Sequence, residues 1–408
     1  MALAATAEFR RDAWVIGLVS TAHGFSHFFQ LVLPPLFPLL KDVFGVSYQS
    51  LGLLTMVFYG TSCVAQPLAG FLVDHVGARR VLLIGLVGTA GATALMSFVP
   101  NFTLLFPLAM LAGLGNSVFH PADFALLNAQ IRSARLGRAY GFHSIAGNIG
   151  WALAPVVSFG LASTIGWRPA LVIMGVVGLA LAAFLALREE LHEQAHTTRA
   201  REAQRGLGFA ASLKLLFALP IVMCFAYFTL LAISMVGLQT FEIPATMLLY
   251  GVSNVLATTA LTAFLIGGSV GVLAGGVIAD RTSHHHRVAM TGLLLGATGA
   301  AILATGQVPT ALIVPLLALA GFCLGATLPS RDLIVKQATP AGASGKIYGF
   351  VYSGLDVGSA TIPILFGWLL DHQQARWVFI TVVVAMLLSI LTVLNMRPAR
   401  RPAMAAAD

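Results

Sequence analysis

The chain has 408 residues, of which 58% are apolar and only 9% are charged, and its mean hydropathy is +0.88. A soluble domain carries about 25% charged residues, so 23 basic and 15 acidic side chains are too few to cover a water-facing surface of this size. The composition excludes soluble enzymes and nucleic-acid-binding proteins, despite the formal charge of +8, and predicts a protein embedded in the lipid bilayer.

Apolar stretches separated by turn residues and charges predict twelve transmembrane helices in an all-α membrane protein. The predicted spans are residues 13–40, 47–73, 81–99, 103–130, 138–163, 168–187, 215–242, 250–279, 288–306, 310–336, 345–369 and 375–396. Residues 188–214 form the one long polar stretch between spans. We therefore expect a six-helix bundle over residues 1–187, a cytoplasmic linker over 188–214 and a second six-helix bundle over 215–408.

Basic residues are distributed unevenly between the two sides of the predicted membrane. Lys41, Arg168 and Arg376 fall on one side, and the remaining Lys and Arg residues of the chain fall on the other. Because basic loops stay in the cytoplasm, both termini and the linker are predicted to be cytoplasmic in a multi-pass protein of a bacterial inner membrane. Three scattered cysteines show neither disulfide nor metal-binding spacing.

The second half of the chain repeats the first at a spacing of 206–208 residues. Three pairs of segments match, namely 70–80 with 276–287, 111–123 with 319–331, and 137–155 with 345–363. Two parallel copies of six helices predict two pseudo-symmetric bundles that enclose a site near the bilayer midplane and move against each other.

The loop after the second span carries a family resemblance. Its pattern Gly70-x3-Asp74-His75-x-Gly77-x-Arg79-Arg80 resembles the signature between helices two and three of the major facilitator superfamily. The resemblance implies the twelve-helix fold of that superfamily and a transporter rather than an enzyme. It also implies a conformational latch, formed by Gly70, Asp74, Gly77, Arg79, Arg80, Asp280 and Arg281. The two glycines permit close helix approach and a tight turn, and a simple tight turn is the alternative interpretation.

Two further resemblances narrow the expected function. Gly141-x8-Gly150-x3-Ala154-Pro155 in the fifth span is similar to the antiporter signature of the superfamily, although small residues also serve helix packing alone. Residues 22–30 and 115–123 resemble the fosmidomycin-resistance branch of drug efflux transporters. This second resemblance carries over to His23, Gln30, His120, Pro121 and Asn148.

Polar residues in the first span lie on one helix face. His23, His27 and Gln30 are spaced four and three residues apart, which is helical periodicity. An ionisable side chain in lipid costs at least a few kcal/mol, so this face is expected to point into the bundle. There the imidazoles could carry protons or hydrogen bonds. The alternative is buried histidines that bond to backbone or serine.

The fourth span repeats the pattern with Asn116, His120 and Asp123, again spaced four and three residues apart. Pro121 loosens the backbone beside them. Asp123 paired with His120 would be a proton acceptor. A cap or brace near the cytoplasmic loop is the alternative role for Asp123.

The repeat places Arg331 at the position of Asp123 and Asp356 at the position of Asn148. We expect both to face the shared cavity, where Arg331 would hold an anionic group of the substrate in a bidentate contact. A fixed brace of Arg331 with Asp332 or Asp356 is the alternative. The remaining candidates for the cavity are Asn148, Gln239, Glu242 and Tyr352. Glu242 is either a proton entry site or an interfacial carboxylate in contact with water.

No resident metal site and no nucleotide-driven chemistry are expected. His284, His285 and His286 belong to a predicted solvated loop, and no phosphate-binding loop is present. The predicted function is a monomeric secondary transporter that exports a small, anionic, drug-like compound in exchange for protons, without a cofactor and without a nucleic-acid partner. Alternatives are a proton-coupled importer of an organic acid or siderophore-like chelate, or a divalent metal carrier with a histidine-rich cavity.

Overall fold

A computed structural model of the protein describes residues 2–191, 216–338 and 344–395. Regular structure in these ranges is helical. The first half contains α1 (Ala2–Gln30), α2 (Phe37–Phe44), α3 (Tyr48–Val76), α4 (Ala78–Met96), α5 (Leu105–Asn116), α6 (Phe119–Gln130), α7 (Ser133–Ile165) and α8 (Trp167–Ala186). The second half contains α9 (Leu219–Gln239), α10 (Glu242–Tyr250), α11 (Asn254–Arg281), α12 (His285–Ala304), α13 (Thr310–Ala338), α14 (Ser344–Thr361), α15 (Pro363–Asp371) and α16 (Ala375–Asn395).

These helices occupy all twelve predicted spans. Within the described ranges, eleven segments are long and apolar enough to cross a bilayer. The predicted second span is α3, whose 29 residues reach about 43 Å at 1.5 Å per residue, enough to cross the hydrocarbon core. The prediction of an all-α membrane protein is confirmed.

Several spans that the sequence predicts as continuous are interrupted. The fourth span breaks at residues 117–118, before Pro121, and the seventh breaks at residues 240–241, before Pro244. The eleventh span breaks at residue 362, directly before Pro363. Proline lacks an amide hydrogen, and its ring clashes with the carbonyl four residues earlier, which explains why the interruptions precede the prolines.

Three predicted helix ends are wrong by five residues or more; α1 begins at Ala2 rather than at residue 13, and the other two corrections affect the site. Helix α7 begins at Ser133, five residues before its predicted start at 138. The seventh span continues as α10 to Tyr250, beyond its predicted end at 242.

The helix pairs of the first half recur in the second. The pairs α1–α7, α3–α5, α4–α5 and α4–α8 correspond to α9–α14, α11–α13, α12–α13 and α12–α16. A polar contact recurs as well, because Arg168 donates to the Ser97 carbonyl and Arg376, 208 positions later, donates to the Thr305 carbonyl. The two halves are thus built alike. The predicted bundle boundaries remain a prediction, since residues 192–215 lie outside the described ranges.

Helices α11 and α13 approach each other along facing rows of small residues. A Cβ on Gly267 or Gly271 would collide with backbone of α13, and a Cβ on Gly321 or Gly325 would collide with backbone of α11. Small residues one turn apart let membrane helices meet backbone to backbone.

The two ends of the bundle can be distinguished by their connections. The linker face contains the turns at residues 77, 131–132 and 187, and the far face contains those at 45–47, 166 and 372–374. At the far face, Asp371 of α15 accepts hydrogen bonds from the backbone amides of Tyr48 and Gln49 at 2.7 and 2.8 Å. We call this contact the far-face clasp.

The clasp joins the two halves of the chain. Its acceptor lies on α15 and its donors form the N-terminus of α3, where a carboxylate also interacts favourably with the helix dipole. Beside it, a Cβ on Gly52 would meet the Pro363 backbone, and a Cβ on Gly367 would meet the Tyr48 backbone. The halves are therefore in tight backbone contact at the far face.

Candidate functional site

Helices α1, α6 and α7 bring four histidines around one carboxylate. The Asp123 Oδ2 atom lies 3.0 Å from His143 Nε2 and 3.1 Å from His23 Nδ1. Asp123, His23 and His143 are all buried. Together with His27 and His120, they form what we call the histidine cluster.

The imidazole rings of the cluster are in mutual contact. The His23 ring stacks on His143 at a centroid distance of 3.6 Å and lies 4.3 Å from His27 and 5.2 Å from His120. The His27 ring stacks on the Trp151 indole at 4.1 Å. His120 is exposed, so the cluster has one accessible edge and an otherwise buried interior.

Small residues on α7 make room for these rings. A Cβ on Gly147 would collide with both the His23 and the His27 imidazoles, and a Cβ on Gly150 would collide with the backbone of Gly24 in α1. Gly150 belongs to the antiporter-like pattern, and in this structure it is a close-packing position. The absence of a side chain at these positions lets α1 and α7 pack closely enough to stack histidines between them.

His143 is the member of the cluster that sequence reasoning missed. A predicted helix start at residue 138 placed His143 near the membrane edge. Since α7 begins at Ser133, His143 lies about 15 Å into the helix at 1.5 Å per residue. The predicted partner of Asp123 was His120, whereas the structure pairs Asp123 with His143 and His23. The signal available in the sequence was that His143 lies four residues, about one helical turn, before Gly147.

A chain of polar side chains extends from the cluster toward the far face. Trp151 Nε1 donates to Gln30 Oε1 at 3.0 Å, and Gln30 Nε2 donates to Asn116 Oδ1 at 2.9 Å. Asn116 Nδ2 in turn donates to Ser62 Oγ at 2.9 Å. The predicted Gln30 and Asn116 are thus joined in one network, and Asn148 is half-buried on α7 beside Gly147.

The second half presents a different arrangement around Arg331. Its Nε donates to Asp332 Oδ1 at 2.8 Å, and the Tyr352 hydroxyl donates to the same oxygen at 3.0 Å. The guanidinium lies 4.6 Å from the Phe228 ring centroid and 5.7 Å from that of Tyr352. We call Arg331, Asp332, Phe228 and Tyr352 the arginine site. Of the two braces considered from sequence, the structure contains the one with Asp332.

Among the ion pairs of the described residues, Arg331 is paired with Asp332 and not with Asp356. Asp356 is half-buried on α14 and interacts electrostatically with Tyr59 and Cys63 of α3. Asp356 therefore faces the opposite half of the chain, and it does not join the arginine site.

The two candidates of the seventh span are separated from both sites. Gln239 contacts the Met235 sulfur at 3.6 Å. Glu242 is fully buried, and its Oε1 atom accepts a hydrogen bond from Thr246 at 2.7 Å. Of the two alternatives for Glu242, an interfacial carboxylate in contact with water does not agree with this burial, because the chain continues as α10; the proton entry site stays a prediction.

The predicted latch residues lie at the linker face. Gly77 has a φ of 94° between α3 and α4, so the tight turn is confirmed. Close approach at Gly70 is wrong for this structure, since among described atoms a Cβ there would meet nothing within 4 Å. Arg79 donates to the Ala186 carbonyl at the end of α8, whereas Arg80, Asp280 and Arg281 are exposed. The Asp74 side chain lies outside the described part of the chain.

The histidine run of the second half departs from the predicted solvated loop. His284 is exposed, but α12 begins at His285, and His285 is buried. The run is therefore a helix start, with only part of its imidazole surface facing outward.

Comparison with known proteins identifies the family to which this fold belongs. The sequence profile of the Major Facilitator Superfamily matches residues 19–253 and 230–407. The chain belongs to the major facilitator superfamily. It is a multi-pass transporter of the inner membrane, and the prediction of a transporter rather than an enzyme is confirmed.

Individual relatives agree with this assignment. The fosmidomycin resistance protein of Escherichia coli (strain K12) is 23% identical over 408 residues, covering 96% of this chain and 95% of the relative. The multidrug resistance protein MdtG of Enterobacter lignolyticus (strain SCF1) is 29% identical over 402 residues, covering 93% and 91%. The predicted resemblance to the fosmidomycin-resistance branch is confirmed.

A solved structure shows the same fold. A bacterial homologue of the human lysosomal transporter Spinster, in an inward-facing and occupied conformation, superposes with a TM-score of 0.76 at 15% identity. The match covers 95% of this chain and 99% of that one.

Proposed function

We propose that the protein exports a small, anionic, drug-like compound across the inner membrane in exchange for protons. The observation that carries the proposal is the buried Asp123 carboxylate, held within 3.1 Å of two imidazole nitrogens inside the membrane span. A carboxylate there is costly unless it can be neutralised, and the two imidazoles place proton-exchanging groups at hydrogen-bond distance from it.

The arginine site provides a permanent positive charge, in contrast to the proton-exchanging groups of the histidine cluster. Arginine remains charged, and its planar fork suits carboxylate, phosphate or phosphonate groups. Only its Nε is bonded to Asp332 in the described contacts, so the terminal nitrogens are available to an anion. The names of the fosmidomycin and multidrug relatives support a drug-like cargo, and fosmidomycin, a phosphonate, is the natural first probe.

Antiport requires that the proton and the cargo exclude each other. Neutral imidazole can accept a hydrogen bond, whereas protonated imidazole only donates. A donor group of the cargo that reaches the exposed edge at His120 therefore loses its acceptor when the cluster gains a proton. Arg331 would hold the anionic end of the same cargo.

The direction of transport in this proposal follows from the linker face being cytoplasmic, as the uneven distribution of basic residues predicts. Cargo would enter from the linker face in the conformation seen here, with the far-face clasp closed. Protons arriving from the far face would displace the cargo after the halves rearrange, since a ligand shifts a conformational equilibrium only by binding one state better.

The test is flux in proteoliposomes with an imposed pH gradient and fosmidomycin as the probe. We expect fosmidomycin to move in the direction opposite to the flow of protons. When fosmidomycin is present at equal concentration on both sides, its exchange for protons should dissipate the pH gradient. Movement of fosmidomycin and protons in the same direction would contradict export by antiport, as would flux that is indifferent to the gradient. Organic acids, common drugs and divalent metals serve as alternative cargoes in the same assay.

A further inference from the structure

We propose that His23, Asp123 and His143 form a binding site for a divalent transition-metal ion of the Zn²⁺ type. The inference does not rest on the proposed function, because binding is a property of the purified protein and requires no flux. A metal carrier with a histidine-rich cavity is one of the alternative functions predicted from the sequence, but that prediction did not include His143.

The donor set is that of a transition-metal site. One carboxylate oxygen and two imidazole nitrogens come from three different helices, and these atoms all lie within 4.8 Å of one another. Two imidazoles and one carboxylate, with a fourth position left open, are a recurrent arrangement around Zn²⁺. Imidazole ligands favour Zn²⁺, Co²⁺, Ni²⁺ or Cu²⁺ over Ca²⁺ and Mg²⁺, which prefer oxygen.

The spacing requires only small adjustments. Tetrahedral ligands at about 2.05 Å from a metal lie about 3.3 Å apart. The Asp123 oxygen is already 3.0 and 3.1 Å from the two nitrogens. Binding would thus widen both contacts by a few tenths of an ångström, and the stacked His23 and His143 rings would tilt so that both nitrogen lone pairs point at the ion.

Unsatisfied atoms point to a missing partner. Among buried side-chain atoms of the described residues, Asp123 Oδ1 makes no hydrogen bond, and His23 Nδ1 lies at ion-pair distance from Asp123 Oδ2 without hydrogen-bond geometry. Such atoms are costly away from water. The ion-pair partners of Asp123 in the described ranges are histidines rather than Lys or Arg, so no permanent cation balances its charge.

Gly147 lies against the His23 and His27 rings, and a Cβ on it would collide with both. Because glycine has no side chain, the rings have the space they occupy beside the donor set. The exposed His120 edge gives access to the cluster. A buried donor set, room beside it and an entrance are the features that an exchangeable metal site needs.

The experiment is titration of the tag-free, detergent-purified protein with Co²⁺, followed by absorption, and with Zn²⁺, followed by calorimetry. The background is a variant with His284→Ala and His286→Ala, which removes the exposed and the half-buried imidazole of the other histidine run; His285 is kept because it is buried. We expect one ion per chain and the intense visible absorption of Co²⁺ in a low-coordinate nitrogen and oxygen site.

Ligand variants then assign the site. Asp123→Asn, His23→Gln and His143→Gln should each weaken binding by more than the ~10–100-fold that loss of an outer partner costs. His372→Gln is the matched control, because His372 is exposed at the far face, and it should leave the Co²⁺ spectrum unchanged.

One measurement needs no variant. Zinc-edge X-ray absorption of the loaded protein should show two imidazole ligands and oxygen at about 2.0–2.1 Å. Absence of a bound ion in the background variant would overturn the proposal. So would a Co²⁺ spectrum that survives Asp123→Asn, or scattering without imidazole.

Discussion

The histidine cluster and the arginine site occupy equivalent places in the two halves and differ in their chemistry. Asp123 lies seven residues before the end of α6, and Arg331, its counterpart in the repeat, lies seven residues before the end of α13. Around Asp123 the neighbours are imidazoles, which can exist with or without a positive charge. Around Arg331 they are an acid and two aromatic rings, which hold a charge that does not change.

This difference shows how two copies of the same helix arrangement can have different roles. The shared helix pairs give both sites the same depth, and a few substitutions decide whether a site exchanges protons or holds an anion. His143 of the first half corresponds to Val351 of the second, so the second half lacks the imidazole that bonds the acid. We therefore expect the first half to couple transport to protons and the second to bind the cargo.

The largest expected effect is that of Asp123→Asn, which removes the carboxylate but keeps its size. We expect fosmidomycin flux driven by a pH gradient to fall to the level of protein-free liposomes, because the proton acceptor is gone. Exchange of labelled for unlabelled fosmidomycin at equal pH should persist. Gradient-driven flux at the wild-type rate would remove the cluster from the coupling mechanism.

The second effect, from Arg331→Gln, should be large and of a different kind. Loss of a charge-assisted hydrogen bond costs about 1.5–3 kcal/mol, or about a 10- to 150-fold weaker fosmidomycin affinity. Exchange and gradient-driven flux should then fall together. Arg331→Lys is the control, since it keeps the charge and loses the planar fork. Its affinity for fosmidomycin should lie between those of the wild type and of Arg331→Gln. If Arg331→Gln binds fosmidomycin normally, the cargo lies elsewhere.

A smaller effect is expected for Asp332→Asn, because Asp332 orients Arg331 without contacting the cargo in this arrangement. One hydrogen bond contributes about 0.5–1.5 kcal/mol, which corresponds to a ~2- to 12-fold loss of affinity. The dependence of transport on the pH gradient should stay as in the wild type. If that dependence changed, the proposed division of roles between the histidine cluster and the arginine site would be wrong.

The smallest effect concerns the far-face clasp, which fixes the conformation in which both sites are compared. Asp371→Asn weakens the interaction with the α3 N-terminus by about 0.3–1 kcal/mol, so the open far-face population should rise by a factor of ~2 to 5. Asp42→Asn is the matched control, because it makes the same change at an exposed acid near the same face.

Distances between spin labels at Thr103 and Gln307 measure that population. Both positions are exposed near the far face, one in each half, and the three native cysteines are replaced by serine. Asp371→Asn should increase the fraction of long distances, and Asp42→Asn should not. An unchanged distribution for Asp371→Asn would show that the clasp is not part of the gate.

The sequence contained the helices but only part of the site. Apolar length and the repeat predicted the spans, because burial in lipid demands continuous apolar helices. Apolar length does not mark where a helix begins or ends, so the early start of α7 and the extension to α10 were not visible. That is why His143 was missed and why an interfacial position was one alternative for Glu242.

Pairing within the site was also beyond the sequence. Helical spacing placed His23, His27 and Gln30 on one face of the first span and Asn116 on a face of the fourth, and the structure joins Gln30 to Asn116. Spacing along one helix says nothing about which side chain of another helix comes within 3 Å. In the structure, Arg331 bonds the adjacent Asp332, and Asp356 interacts electrostatically with Tyr59 of α3.

The most direct test of the division between the halves is the number of protons exchanged when the cargo binds. Fosmidomycin binding to the purified protein is followed by calorimetry in two buffers with different ionisation enthalpies. We predict that protons are released, that affinity falls as the pH is lowered, and that Asp123→Asn binds without release. Proton uptake on binding, or release that persists in Asp123→Asn, would contradict coupling through the histidine cluster.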